Sequence, residues 1–193
     1  MVDPTRTQEE MLDEINASRQ VGANPLYDPL DPRFVSLDEP CLRVRGNTPD
    51  QLLPLLRGAF SRRFMRVPEE QLSADLLYPL KKGLGNAYKW GNRKDPGKMI
   101  AVEAVVTEAG AVVAVTDEGE GFDVESLVGR LEGGEKYFTH GGSGFAHFAK
   151  SKSVISYADG GRTLLIRFLC SPEPARPLAG AKRSRQRRDP AAA

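Results

Sequence analysis

The stretch "AVVAVTDEGEGFD", residues 111–123, joins an apolar run directly to an acidic, glycine-rich turn. The apolar run is typical of a buried strand. Asp117 ends that run, and Gly119 and Gly121 follow it. A carboxylate at a strand end can accept hydrogen bonds from an amine-bearing ring, and glycines let the main chain approach such a ring closely. The alternative is an ordinary acidic turn after a strand.

Length and composition limit the class of protein. The chain has 193 residues, with 27 Lys and Arg against 26 Asp and Glu. This length fits one domain with tails, and the near balance of charge gives no overall attraction to nucleic acid or membrane. No run approaches the ~20 apolar residues of a membrane span, and the N-terminus lacks the apolar core of a secretory signal. Cys41 and Cys170 are far apart and are predicted to be reduced thiols. The sequence therefore predicts a cytoplasmic protein without a membrane partner.

The two ends differ in composition from the middle of the chain. Residues 1–37 are polar and contain four prolines, and residues 172–193 combine prolines with a basic cluster at 182–188. A short helix around "QEEMLDEINASR" is an alternative, but the prolines that follow keep the chain extended. Segments with so little apolar content do not offset their ordering entropy. We therefore expect a mobile N-terminal extension at 1–37, a folded domain at 38–171 and a disordered basic tail at 172–193. Since no aromatic residues are interleaved in the tail, no direct nucleic-acid contact is expected.

Within the domain, the apolar spacing predicts helices and antiparallel hairpins that are segregated along the chain. The predicted strands are 41–46, 98–106, 110–117 and a hairpin over 153–169. The predicted helices are 48–64, 69–91, 124–131 and 145–150. This order predicts an α+β fold, a two-layer sandwich whose mixed, mainly antiparallel sheet is covered on one face by helices.

Two further segments carry candidate chemistry. In "KKGLGNAYKWGN", residues 81–92, Gly83 and Gly85 inside a helix each cost about 1 kcal/mol of stability relative to Ala. Asn86 offers a side-chain oxygen to a hard cation. The alternative is a helix packed tightly against the sheet, with Asn86 merely solvated. In "HGGSGFAHFAK", residues 140–150, glycines lead into a helix N-terminus, where backbone N–H groups suit phosphate oxygens. A plain glycine-rich loop is the alternative there.

Together the three segments, in this order and spacing, resemble the nucleotide boxes of the histidine-kinase-like ATPase superfamily over about 70–169. Within that superfamily, "NAYKWGNRKDPGK" is most similar to the bacterial anti-sigma factor serine/threonine kinases. The resemblance implies a sandwich of that ATPase type, with ATP or ADP and Mg²⁺ as cofactors.

The resemblance also assigns roles. Asn86 would hold the Mg²⁺, Asp117 would accept from the adenine amino group, and residues 132–143 would form a lid. The residues that it assigns to nucleotide binding are Lys82, Asn86, Lys89, Asp117, Gly119, Gly121, Phe122, Gly142, Ser143 and Gly144.

One residue departs from the pattern of the kinases, which carry an acid one helical turn before the Asn. Here that position is Lys82, which shares a face with Asn86. A protonated lysine, with an ordinary pKa of about 10.4, cannot act as a base but would attract phosphate. No catalytic residue is therefore assigned, and Glu118, Glu120 or Glu135 would have to replace the base. Trp90 takes the place of the usual His and is predicted to fill the helix–sheet core.

Three functions follow from the resemblance. The first is a nucleotide-binding regulator that resembles an anti-sigma factor and sequesters a sigma factor or an anti-sigma factor antagonist, with phosphotransfer impaired by Lys82. The second is an active serine/threonine protein kinase that phosphorylates the antagonist. The third is an ATPase-like module in which nucleotide is only a structural ligand. The oligomeric state, a homodimer included, stays open.

Overall fold

The computed structural model describes residues 2–17, 41–126, 129 and 151–170. Five strands form one sheet in the order β1-β2-β3-β5-β4, and each neighbouring pair is antiparallel. The predicted strands are confirmed with shifts of at most two residues, and the chain is α+β. The strands are β1 Cys41–Gly46, β2 Ile100–Val106, β3 Gly110–Asp117, β4 Val154–Ala158 and β5 Thr163–Leu169.

Helices precede the hairpin of β2 and β3, among them the predicted helices at 48–64 and 69–91. They are α1 Gln8–Glu14, α2 Pro49–Arg63, α3 Glu69–Leu72 and α4 Tyr78–Asn86. The π-helical turn Ser73–Leu77 joins α3 to α4, and the π-helical turn Ala87–Gly91 continues α4. Residues 69–91 therefore form one continuous helical run, which we call the long helix. Of the predicted helix at 124–131, residues 124–126 are helical. The predicted helix at 145–150 lies outside the described residues.

One face of the sheet packs against α2 and the long helix. The predicted buried face of the long helix is confirmed, since Leu76, Leu80, Leu84 and Ala87 are all buried in the same core cluster. Gly83 belongs to this contact, because a Cβ there would overlap the Leu164 side chain of β5. Close packing on the sheet therefore accounts for one of the two helical glycines.

The second face of the sheet is covered as well, which corrects the expectation of a mobile extension for residues 2–17 and of helices on one face only. Met11 and Ile15 of α1 are fully buried in a second cluster, with Val112 and Ala114 of β3. Side chains of β3 therefore enter a core on both faces, which explains why its apolar run does not alternate.

Local and distant contacts fix α1. The Thr7 hydroxyl accepts from the Glu10 N–H at 3.2 Å, and the Glu10 carboxylate accepts from the Thr7 N–H at 2.9 Å. This capping box is written in the sequence as "TQEE", a signal that the sequence analysis missed. The Thr107 hydroxyl donates to the Ile15 carbonyl at 2.6 Å, and Arg167 of β5 pairs with Glu14 at 2.9 Å.

The remaining predictions concern the two cysteines, membrane spans and the domain boundaries. Cys41 is a buried thiol and Cys170 a half-buried one, as expected. Among the residues described, none of the helices combines the length and the apolar character that a membrane crossing requires. The predicted boundaries at 38 and 171 and the basic tail lie outside the described ranges and stay predictions.

If α1 is an integral part of the fold, Met11→Ala should lower the free energy of unfolding by roughly 2–5 kcal/mol, because it removes a fully buried side chain. Asp13→Ala, on the exposed side of the same helix, should change it by less than about 0.5 kcal/mol. Urea unfolding followed by circular dichroism measures both. Equal effects of the two substitutions would show that the segment is detached in solution.

Candidate functional site

The end of the long helix contacts the turn that follows β3. A Cβ on Gly91 would overlap the Asp117 carboxylate, and a Cβ on Gly119 would overlap the Gly91 carbonyl. Glycine is therefore required on both sides of this contact. It brings Asp117, predicted to read adenine, next to the helix that carries the predicted metal ligand Asn86.

The second glycine of the turn is used differently. Gly121 has φ of 76°, and a Cβ there would overlap the Gly160 carbonyl in the β4–β5 connection. The neighbouring Phe122 N–H donates to that same carbonyl at 2.9 Å. The Phe122 ring meets Tyr157 edge-on at 5.1 Å between centroids. The segment 121–122 is thus fixed against the β4–β5 hairpin, and the roles predicted for both residues toward nucleotide stay predictions.

Asn92 holds the two parts of the site together, and the sequence analysis missed it. It is fully buried, its Oδ1 accepts from the Glu118 N–H at 2.8 Å, and its Nδ2 donates to the Met99 carbonyl at 2.9 Å. One amide therefore fixes the start of the Asp117 turn to the segment after the long helix. No local pattern reveals such a role, since both partners are backbone groups distant in sequence.

Asp117 is a half-buried carboxylate. Its Oδ1 accepts from the Gly119 N–H at 2.8 Å. Burial raises the pKa of Asp117 above its ordinary value, although the Gly119 hydrogen bond and the charges of Arg162 and Lys98 act in the opposite direction. A carboxylate that is partly removed from water and held by one oxygen is suited to accept a further hydrogen bond through the other.

The face of α4 that points away from the core is polar. By helical spacing it carries Lys82, Gly85 and Asn86, and Lys89 lies in the π-helical turn that follows α4. The Lys82 ammonium lies 5.4 Å from the Tyr78 ring centroid, a cation–π distance. A Cβ on Gly85 would have no neighbour within 4 Å among the described residues, and Asn86 is half-buried with no hydrogen bond to them. Space is therefore open beside Asn86, in contrast to Gly83.

The acids that could replace the missing base have other partners. Glu118 accepts from the Met99 N–H at 3.0 Å and lies 3.4 Å from Arg45, and Glu120 lies 2.9 Å from Arg93. Asp75, which lies too far back along the long helix to act as that base, is buried and accepts from the Lys152 N–H at 2.9 Å. Glu135, like Gly142, Ser143 and Gly144, lies outside the described residues.

The prediction that Trp90 fills the core is wrong, since its side chain is 67% exposed. The π-helical turn is the reason. Its wider spacing places the next buried side chain after Ala87 at Asn92, whose N–H donates to the Ala87 carbonyl at 2.7 Å, five residues back. Trp90 is thereby directed to solvent.

Comparison with known proteins adds no assignment. No family model matches the chain, and no curated protein matches it either. Within the described ranges, no group of three or more His, Cys, Asp or Glu side chains could hold a metal ion. The geometry of Asn86, Asp117 and their neighbours is therefore the basis for the proposed function.

Asp117 generates a prediction about pH. Because the pKa of Asp117 is raised in the folded protein, the protonated form favours folding, and this contribution is lost as pH rises through that pKa. Asp117→Asn keeps an acceptor for the Gly119 N–H without the charge. We expect the variant to be more stable than wild type at pH 7 and the difference to vanish below the ordinary Asp pKa of about 3.9. Urea titrations across this range measure it, with the exposed Asp50→Asn as control. An Asp117→Asn variant that is less stable than wild type at pH 7 would contradict the raised pKa of Asp117.

Alanine substitution should change the free energy of unfolding in opposite directions at Gly91 and Gly85, two glycines of the long helix. Gly91→Ala forces a methyl group into the Asp117 carboxylate and should cost roughly 1–3 kcal/mol of unfolding free energy. Gly85→Ala has room and should gain about 1 kcal/mol from helix propensity. Thermal unfolding of both variants tests this, and a Gly91→Ala protein as stable as wild type would show that the helix–turn contact does not form.

Proposed function

We propose that the chain is an ATP- or ADP-binding regulatory protein that resembles an anti-sigma factor. In this proposal the sandwich is of the histidine-kinase-like ATPase type and acts in the cytoplasm. It sequesters a sigma factor or an anti-sigma factor antagonist in a nucleotide-dependent way. The observation that supports it is the contact between Gly91, at the end of the Asn86-bearing helix, and the half-buried Asp117 carboxylate at the end of β3.

Asp117 and the turn after it supply the proposed base-reading end of the site. With Oδ1 held by the Gly119 N–H, Oδ2 is the oxygen that accepts from the exocyclic amine of adenine. Asn92 keeps the turn in place through the Glu118 N–H. Because the carboxylate is partly desolvated, its hydrogen bond to the base is stronger than it would be in open water.

The polar face of α4 supplies the proposed phosphate end. The open space at Gly85 leaves room for phosphate oxygens beside the Asn86 amide. An amide oxygen suits Mg²⁺, whose other ligands would be phosphate oxygens and water. The bound ion would neutralise phosphate charge, and Lys82 on the same face and Lys89 in the following π-helical turn would add to this. The proposed nucleotide-binding residues also include three that are assigned by the resemblance alone, Gly142, Ser143 and Gly144.

A regulator fits these residues better than a kinase. Removal of a general base typically costs ~10²–10⁴ in rate. Lys82 stands where the base is needed, and Glu118 already accepts from the Met99 N–H and lies 3.4 Å from Arg45. The proposed protein therefore binds nucleotide without efficient phosphotransfer.

Calorimetry with ATP tests the site. Asp117→Asn should weaken ATP binding by roughly 1.5–3 kcal/mol, the range for a hydrogen bond to a charged group, while Asp50→Asn should leave it unchanged. Wild-type affinity should rise with Mg²⁺, and Asn86→Ala should remove most of that rise. Equal ATP affinity in wild type and Asp117→Asn would exclude Asp117 from the site, and Mg²⁺-independent binding would leave Asn86 with a structural role alone.

Labelled ATP with candidate antagonist domains decides between regulator and kinase. Wild type should show negligible transfer and hydrolysis while it binds nucleotide. Lys82→Glu should bind ATP more weakly, because attraction becomes repulsion, and should gain measurable turnover. Lys81→Glu makes the same charge change on a neighbouring exposed residue and should gain none. Robust wild-type transfer that Lys82→Ala does not affect would establish the kinase instead.

A further inference from the structure

An exposed aromatic and cationic surface follows the long helix. Trp90 is the single tryptophan of the chain and is 67% exposed. Residues 89–98 contain four cations and one acid. Three of these cations, Lys89, Arg93 and Lys94, are exposed, and the two that the nucleotide proposal does not use, Arg93 and Lys94, define with Trp90 what we call the Trp90 surface. Single exposed apolar residues are normal on protein surfaces, but an indole beside an arginine is a composition enriched at protein interfaces.

The backbone that carries this surface is strained. Arg93 has φ of 53° and Lys94 has φ of 60°. Both lie in the left-handed region, which is costly for residues with long side chains and which glycine adopts readily. The chain places glycine at 91 and 97 but not at these two positions. Strain of this kind concentrates where a particular side chain is needed for function.

The strained turn is rigidly supported. The Lys94 N–H donates to the Tyr88 carbonyl at 2.8 Å, and the Asp95 N–H donates to the Asn92 carbonyl at 3.0 Å. The buried Asn92 side chain then ties the turn to the sheet. The Trp90 surface is therefore preorganised, which lowers the entropy cost of binding a partner.

Helix-end electrostatics alone do not account for these residues. Cations near a helix C-terminus complement its dipole, which explains Lys89. The same effect explains Arg62 and Arg63 in the last turn of α2, near the exposed Met65. Left-handed residues are common where a helix ends, but glycine usually occupies such positions, and the helix dipole requires no exposed indole. The Arg93–Glu120 pair does not remove the positive charge, because both side chains are largely exposed and screened by water.

We propose that the Trp90 surface is a docking site for an acidic segment of a partner protein that also carries an apolar or aromatic side chain. Trp and Arg are the residue types that dominate binding energy at protein interfaces, and the cations complement an acidic segment. A single indole cannot stack a series of bases, which favours a protein over a nucleic acid. This names the partner chemistry for the proposed regulator, but the surface does not require nucleotide.

The full chain, without nucleotide, is titrated into a fluorescent random copolymer of glutamate and tyrosine, and fluorescence anisotropy is measured. The copolymer should bind more tightly than polyglutamate and should shift the Trp90 emission to the blue. Trp90→Ala should lower the affinity about tenfold or more. The double variant Arg93→Gly/Lys94→Gly should lower the affinity while raising the melting temperature by roughly 2–4 °C. The matched control, Arg62→Ala/Arg63→Ala/Met65→Ala, should bind as wild type does.

Several outcomes would overturn the docking site. They are copolymer binding that survives Trp90→Ala, an equal loss in the α2 control, and tighter binding of an oligothymidylate than of the copolymer. A lower melting temperature in the double glycine variant would remove the argument from strain. Failure here leaves the ATP calorimetry untouched. Conversely, Trp90-dependent copolymer binding in a chain that binds no ATP would support the docking site and reject the nucleotide site.

Discussion

Burial of β3 on both faces is the constraint on which the rest of the structure depends. Val113 and Val115 face the core under the helices, and Val112 and Ala114 face the core under α1. The strand also pairs with β2 on one side and β5 on the other. With no solvent-facing side, β3 is fixed in register, because a slip by one residue would exchange the two sets of side chains. The position of Asp117 is therefore set by the core.

The candidate site uses this fixed strand end. The long helix reaches it because Gly83 permits close approach to Leu164 and Gly91 permits contact with Asp117. Asn92 then joins the helix end to the turn through two backbone groups. The polar face of α4 and the Asp117 carboxylate thus belong to one rigid arrangement. A ligand that contacts both would meet side chains held in place before it binds.

Features with a local signal could be predicted from the sequence. The strands at 41–46 and 110–117 and the helix at 69–91 coincide with the structure, because alternation, apolar runs and helical spacing are properties of neighbouring residues. The end of a strand at Asp117 was readable for the same reason. Gly119 was predicted to let the main chain approach an adenine ring; the close approach in the structure is to the Gly91 backbone, and the role toward nucleotide stays a prediction.

Features that depend on distant partners were not predictable. Helix α1 has seven residues, and Met11 is buried by strands about a hundred residues further along the chain. The side-chain partners of Asn92 are backbone groups beyond its own turn. Trp90 was misplaced because its size favoured the core, whereas the π-helical turn directs it to solvent. The nucleotide and partner predictions rest on a resemblance and await the experiments above.

The docking of residues 2–17 has a consequence for folding and handling of the protein. Val2 forms a parallel bridge to Ile155 of the edge strand β4, and the Asp3 N–H donates to the Ile155 carbonyl at 2.8 Å. This contact covers part of a sheet edge that could otherwise pair with another chain. Its partners are widely separated in sequence, so a nascent chain cannot complete the contact until β4 has been synthesised, and loop closure makes it slow. Truncation of this segment, or a bulky tag fused to it, would leave both a β edge and an apolar sheet face open to aggregation.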